Sequence, residues 1–246
     1  MSKRYLICCE IMRYEVEYLL EQLNAEGRRG ELEVHFLRKG FHENPAQLRA
    51  EVQKAIDAAP ADTELILLGY GLCGKGLEGV TARDIPLVIS RVHDCISILL
   101  GSAQAYAEHF NSHPGTYYYS PGWVEWGKDV VDRPPSQGFG LGKSYEEYVA
   151  QYGEDNARYL MELEASWAQN YSRAAYIDAG VLGGDWEAKA QEIAAANKLT
   201  FERVPGSLRL LRLLLAGPWD ADEFLTVPPG QTLQASNDAT ILACRS

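Results

Sequence analysis

The chain is short of positive charge. It has 23 lysine and arginine residues against 34 aspartate and glutamate, a net charge of −11, and nowhere do the basic residues form a run. Such a balance argues against nucleic acid as a partner of the whole protein. Long apolar runs are also missing. The longest, residues 208–216, is interrupted by Arg209 and Arg212, well below the roughly 20 residues that cross a bilayer. The opening MSKRYLICCEIM carries Lys3 and Arg4 but too few apolar residues before Glu10 for a signal peptide. These absences predict a cytoplasmic protein with no membrane partner. Cysteine is scarce too: five thiols, an odd number, exclude a disulfide scaffold. In a reducing compartment, cysteines that cluster point instead to metal or to chemistry.

What is present is an ordinary globular composition. At 246 residues and 46% hydrophobic, the chain can bury one large core or two smaller ones. Its patterning alternates between two periods. Short apolar or alternating runs at 4–9, 32–37, 64–68, 87–90, 115–120, 174–178, 200–204 and 224–227 read as strands. Between them lie helical stripes. Val16, Leu19, Leu20 and Leu23 mark one over 14–25, and Leu48, Val52, Ala55 and Ile56 mark another opened by Pro45. Further helices are predicted over 94–110, 144–172, 186–197 and 207–215, the second of these led by the capping-box pair Ser144 and Glu147. Its tyrosines and Trp167 are read as core packing.

Strand alternating with helix implies an α/β fold with a mostly parallel sheet and helices on both sides. Either two similar Rossmann-like lobes around a central cleft or one doubly wound sheet satisfies the pattern. The expected division is 1–122, 123–172 and 173–246, the middle part holding an irregular excursion over 123–143 that is long enough to serve as a lid.

Residues 64–101 organise the rest. Two all-apolar runs each break into a thiol: 64–68 leads into a glycine-rich loop carrying Cys73, and 86–90 leads into Arg91-Val92-His93-Asp94-Cys95. The first strand of the chain likewise closes on Cys8-Cys9. Runs of this kind belong to parallel strands buried on both faces, and ligands of open parallel sheets gather at the carboxyl ends. A lone cysteine at a strand end is usually a small apolar filler. Three strand ends delivering sulfur, one of them beside a histidine, match the ligand set of zinc. The predicted metal ligands are Cys9 or Cys8, with Cys73, His93 and Cys95. Asp94 is predicted to cap the following helix, so that Cys95 lies at its positive end, where a thiolate is favoured. His93, before the cap, has to reach round the bend.

The glycine loop, Gly69-Tyr70-Gly71-Leu72-Cys73-Gly74, matches the dinucleotide pattern G-x-G-x-x-G after a strand. Residues 75–85 are too few for the crossover helix whose N-terminus would hold a pyrophosphate. The glycines are therefore assigned to tight folding around Cys73. Glu10, Arg91, Asp94, Glu125 and Asp178 are catalytic candidates at the same edge: a carboxylate as general base or ligand orienter, the guanidinium for a substrate anion. Tyr119 and Trp123, with Tyr117 and Tyr118, are candidates for the wall of a substrate pocket. His35, His42, His109, His113 and Cys244 are assigned to the surface or to no role.

The stretches LICCEIMRYEVE, LLGYGLCGKGLEGV, RVHDCISILLGS and YYYSPGWVE resemble the bacterial and archaeal "domain of unknown function 1638" family, over about residues 5–125 and less distinctly beyond. The resemblance implies that the cysteines are metal ligands and that Cys9, next to Glu10, is preferred to Cys8. It also implies company with corrinoid-dependent methyl-transfer systems. The resulting expectation is a zinc-dependent enzyme performing methyl or thiol transfer on a small molecule. The alternatives are an accessory protein handling metal or corrinoid for a methyltransferase partner, and a nucleotide-binding protein or zinc hydrolase. Self-association is left open.

Overall fold

The computed structural model describes residues 3–128, 145–168 and 170–245. Along the chain the apolar runs become β1 (Arg4–Cys9), β2 (Leu32–Leu37), β3 (Leu65–Gly69) and β4 (Leu87–Ser90). Two helices join the first three: α1 (Arg13–Ala25), entered through a 3-10 turn Glu10–Met12, and α2 (Pro45–Asp57). α2 buries the whole stripe its sequence marks, Leu48, Val52, Ala55 and Ile56, and α1 buries Val16, Leu19 and Leu23 while Leu20 stays half-buried. Asn44 caps α2 by accepting from the N–H groups of Ala46 and Gln47, and Pro45 occupies its first turn, where a missing N–H costs nothing.

Two predicted helices are each broken in two by a glycine. The one over 94–110 becomes α3 (Cys95–Leu99) and α4 (Ala103–Ser112). At the break, Gly101 has φ +90°, and a Cβ there would lie 2.6 Å from the Cβ of Ser207. Ser102 then restarts the helix by accepting from Ala105 N–H at 3.0 Å. After β5 (Thr116–Tyr119), Pro121 opens α5 (Pro121–Lys128), so the stretch from 123 begins as helix rather than irregular chain. Residues 129–143, the rest of the predicted lid, and the capping Ser144 lie outside the described residues. The helix expected over 144–172 is α6 (Tyr145–Tyr152) and α7 (Glu154–Ala168), separated by Gly153 at φ +81°.

The remainder is β6 (Arg173–Asp178), α8 (Trp186–Ala196), β7 (Thr200–Pro205), α9 (Arg209–Ala216), β8 (Phe224–Val227), and a hairpin of β9 (Thr232–Ala235) and β10 (Leu242–Arg245) that the sequence pattern did not suggest. The arginines interrupting the longest apolar run fall on the polar side of α9, whose Leu210, Leu211, Leu214 and Leu215 are buried, while Arg209 pairs with Glu223 and Arg212 with Glu26. No helix among the described residues is long and apolar enough to cross a membrane.

The fold is α/β, with a mixed, mostly parallel sheet flanked by helices. The chain divides into two compact units. Unit 1, residues 1–108, 179–182 and 205–246, holds a sheet of order β2-β1-β3-β4-β8. Its first four strands are parallel, and β8 runs antiparallel to β4. Unit 2, residues 109–178 and 183–204, holds the sheet β5-β6-β7, in which β5 and β6 are parallel. Five strands in one sheet and three in the other do not make similar lobes. Nor does the division follow the expected boundaries at 122 and 172. The C-terminal segment pairs back into unit 1: β8 extends its sheet, and the 230–233 region bonds to the loop after β3, through Gly79 N–H to Leu233 O at 2.8 Å and Leu233 N–H to Val80 O at 2.8 Å.

Candidate metal centre

β1, β3 and β4 are parallel neighbours in one sheet, with Cys8 opposite Gly69 and Leu68 opposite Ile89, so their carboxyl ends finish level. Cys9 is the last residue of β1, Cys73 lies in the loop leaving β3, and His93, Asp94 and Cys95 follow β4. The last two of these segments are fastened together. Leu72 N–H donates to Val92 O at 2.9 Å and Cys73 N–H to His93 O at 2.7 Å. Gly71 permits this approach, since a Cβ at that position would lie 2.6 Å from Asp94 N and 2.7 Å from Val92 O. Cys73, Gly74 and Lys75 then take left-handed conformations in succession, which turns the loop sharply at the thiol. Residues 70–86 contain turns and a bridge but no helix, so the glycine pattern lacks the helix N-terminus that a pyrophosphate needs. The glycines serve packing.

Burial sets the state of these thiols. Cys9 is 7% exposed, and burial pushes its pKa up to about 11. Cys73 is half-buried, and its pKa is also raised, first by burial and then by the charge of Cys9. Cys8 is fully buried and also raised by burial, and its Sγ is seated where a side chain on Gly69 would be, 2.5 Å from the would-be Cβ. Cys95 is half-buried and His93 exposed. Asp94 does cap α3, accepting from Ser97 N–H at 3.0 Å and from Ser97 Oγ at 3.1 Å. Burial raises its pKa as well. α3 is only five residues long, which limits the dipole available to Cys95.

One residue that the sequence pattern does not single out lies within electrostatic reach of all four thiols. The Tyr70 ring is 2% exposed, its hydroxyl has no hydrogen-bond partner, and besides burial the thiols of Cys9, Cys8, Cys73 and Cys95 all raise its pKa. A second is Glu15. It is 2% exposed, its Oε2 has no partner, burial lifts its pKa to about 7, and it acts on Cys8. A signal for it was available: Glu15 is four residues before Leu19 and so falls on the apolar stripe of α1.

The thiols are gathered but not drawn together. Among the described residues, the group of three ligand-type side chains whose donor atoms lie within 4.8 Å of one another is elsewhere, at His109, His113 and Glu202. Sulfurs sharing a tetrahedral zinc at about 2.3 Å stand about 3.8 Å apart, so Cys9, Cys73 and Cys95 would have to close on an ion.

The other candidates have other commitments. Glu10 pairs with Arg13 at 3.2 Å. Arg91 is a clamp: its Nε donates to Ala221 O at 2.9 Å and Phe224 O at 3.3 Å, and its Nη1 donates to Thr240 O at 3.2 Å and to Leu242 O. A substrate anion would have to displace those carbonyls. Asp178 pairs with Arg203 in unit 2. Glu125 is half-exposed on α5. Tyr119 is 5% exposed in the core cluster of unit 2 with Val124, Tyr176 and Ala190, and Trp123 packs against it. These two side chains fill a core in unit 2.

A family model described as "Protein of unknown function (DUF1638)" matches residues 36–215. That span takes in Cys73, His93 and Cys95, runs well past residue 125, and begins after Cys9 and Glu10. No curated protein and no solved structure matched the chain.

Proposed function

The chain belongs to the DUF1638 family of proteins of unknown function; with no activity to carry over from that family, we propose that unit 1 holds a zinc-like ion through Cys9, Cys73 and Cys95 and uses it in methyl or thiol transfer on a small molecule. One observation carries this reading: three adjacent parallel strands end level, and each delivers a thiol to the same edge. Buried Cys9 and half-buried Cys73, both with raised pKa values, and the unpartnered phenol of Tyr70 are groups in want of a common partner, and zinc ligation would deprotonate the thiols. A thiolate-rich zinc is electron-rich, which suits alkylation of a bound substrate thiolate better than activation of water. In this reading Cys9, Cys73 and Cys95 are the ligands and Tyr70 donates its hydroxyl hydrogen to a ligating sulfur. Exposed His93 meets the substrate, and Asp94 fixes the turn that presents Cys95. The Rossmann-like character of unit 1 belongs to the same proposal, since substrate would approach the carboxyl edge of its sheet.

The second reading, a carrier handing metal or corrinoid to a methyltransferase partner, draws on one fact: the donors are not closed on one another, as suits a site that fills and empties. Elemental analysis of protein purified without added metal tests both. Retained zinc near one equivalent, lost in Cys73→Ser with the circular dichroism spectrum unchanged, fits the enzyme. Metal stripped by a mild chelator fits the carrier. A folded Cys73→Ser chain with its metal undiminished sinks both.

A further inference from the structure

Unit 2 contains a second set of ligand-type side chains: two histidines assigned above to the surface or to no role, and a glutamate. α4 ends at Ser112, but His113 N–H still donates to His109 O at 2.9 Å, so the helical repeat places His109 and His113 one turn apart on the same face. β7 adds Glu202. The donor atoms of the three lie within 4.8 Å of one another, with His109 Nε2 3.8 Å from Glu202 Oε2.

The surroundings are arranged as they are around a metal-binding imidazole. His109 Nδ1 is 2.7 Å from Tyr118 Oη. With Nδ1–H donating to that oxygen, Nε2 keeps the lone pair and faces the carboxylate, as an outer partner commonly arranges for a ligating histidine. That Nε2 is buried and has no hydrogen-bond partner, which is costly unless something fills the space between it and its neighbours. His113 Nδ1 is 3.0 Å from Ser112 Oγ, leaving its Nε2 available. Arg173 donates to Glu202 Oε2 at 2.7 Å, holding the carboxylate while Oε1 remains.

We propose that His109, His113 and Glu202 form a binding site for a divalent transition-metal ion, with at least one coordination position left for water or a small ligand. Two imidazoles and one carboxylate suit zinc, and also cobalt, nickel or iron(II). Donors on a tetrahedral ion about 2.0–2.1 Å away stand about 3.3 Å apart, so entry of the ion needs side-chain rotations but no rebuilding of the backbone. His113 is the mobile donor. It lies just past the end of α4, half-exposed and stacked on His109 with 4.8 Å between ring centroids. The charge of Arg173 beside Glu202 limits the hold, so the site is one of moderate affinity.

Cobalt(II) titration of the full chain tests this independently of the thiols. A thiolate site gives intense sulfur-to-cobalt charge transfer; an imidazole–carboxylate site gives only weak ligand-field bands. In a chain with Cys9, Cys73 and Cys95 all replaced by serine, one cobalt should still bind, without charge transfer. Adding His113→Ala should weaken it by more than the roughly 10–100-fold that loss of an outer partner costs. Should the triple variant fail to fold, His113→Ala alone in the natural chain should lower the cobalt count by one and leave any charge-transfer band intact. If the thiols bind nothing, the natural chain still takes up one cobalt with weak bands, so the two proposals fail separately. Unchanged cobalt binding in a folded His113→Ala chain overturns the site.

Discussion

In unit 1 Cys9 is buried and Cys73 half-buried, and burial raises the pKa of both thiols; in unit 2 the imidazoles and carboxylate of His109, His113 and Glu202 are half-exposed, with their donor atoms already within 4.8 Å of one another. Glu202 is held ionised there, its pKa lowered first by the hydrogen bond from Arg173. The contrast follows from what each group costs to bury. A neutral thiol is nearly an apolar filler and can wait in a core for its ion. A carboxylate cannot, and needs a cation and water nearby. On the proposed readings the softer donors sit deeper and have to be deprotonated, whereas the harder donors stand ready at the rim. Metal uptake at the thiols must release protons, about one per thiol, and must weaken as pH falls.

The largest expected effect is Cys73→Ser. It should erase the cobalt charge-transfer band and the proton release together, while leaving the weak bands assigned to unit 2. A pH-stat recording during metal addition, beside the spectrum, reads both. Proton release undiminished in the variant would dissolve the distinction between the two groups.

Next comes the inequality within the thiol edge. Cys95→Ala removes a proposed ligand and should lose most of the metal affinity. His93→Ala should retain most of the metal and lose turnover, because His93 is exposed and lies on the outer side of the Asp94 cap. Where His93 acts only as an outer partner, its loss costs roughly 10–100-fold. Titrating both variants side by side decides the matter. Equal loss of metal would make His93 a full ligand, and the open position would have to be found by expanding the coordination.

Much of this edge was legible in the sequence. The apolar runs ending at Cys9, ahead of Cys73 and ahead of Cys95 are short and bounded, so strand, direction and carboxyl-end placement all followed. Strand order is a tertiary matter that no run records, yet β1, β3 and β4 proved to be neighbours. The long helices failed at Gly101 and Gly153 because helical periodicity continues in register across a single left-handed glycine. Arg91 misled because a cation beside a histidine looks the same in sequence whether it faces an anion or four carbonyls. His109 and His113 were passed over at a helix end. Their i, i+4 spacing was visible, but the third donor lies about ninety residues away on β7. Tyr119 and Trp123 were aromatic enough for a pocket and are used as core.

Burial behind the thiols gives a smaller effect with a definite sign. Glu15 has a folded pKa of about 7 against an ordinary 4.5. Between those values the folded chain binds more protons than the unfolded one, so this carboxyl's contribution falls as pH rises through the window and levels off above about pH 7. Glu15→Gln removes the slope. Relative to the natural chain, the variant should gain up to about 3 kcal/mol of stability on passing from below pH 4.5 to above pH 7, at about 1.4 kcal/mol per pKa unit. Urea midpoints at the two ends measure the difference. Parallel pH profiles for the two chains would mean that Glu15 finds water or a partner in solution.

The smallest effect is the most selective test of the contrast. Tyr118→Phe keeps the ring, which is 5% exposed, and removes the hydroxyl that stands 2.7 Å from His109 Nδ1. No atom of the proposed ligand set is touched, so a merely structural role for Tyr118 predicts a modest loss of stability, about 1 kcal/mol for one hydrogen bond, and no change in metal affinity per folded chain. If the hydroxyl instead fixes the tautomer that turns the Nε2 lone pair toward Glu202, cobalt affinity at unit 2 should fall about tenfold. The charge-transfer band of the thiol site should not move. Histidine nitrogen shifts measured by NMR add an independent readout: the variant should populate the tautomer with the proton on Nε2 of His109, which the natural chain should lack. If both tautomer and affinity are unchanged, Tyr118 is packing, and the orientation of His109 comes from its stack with His113 alone.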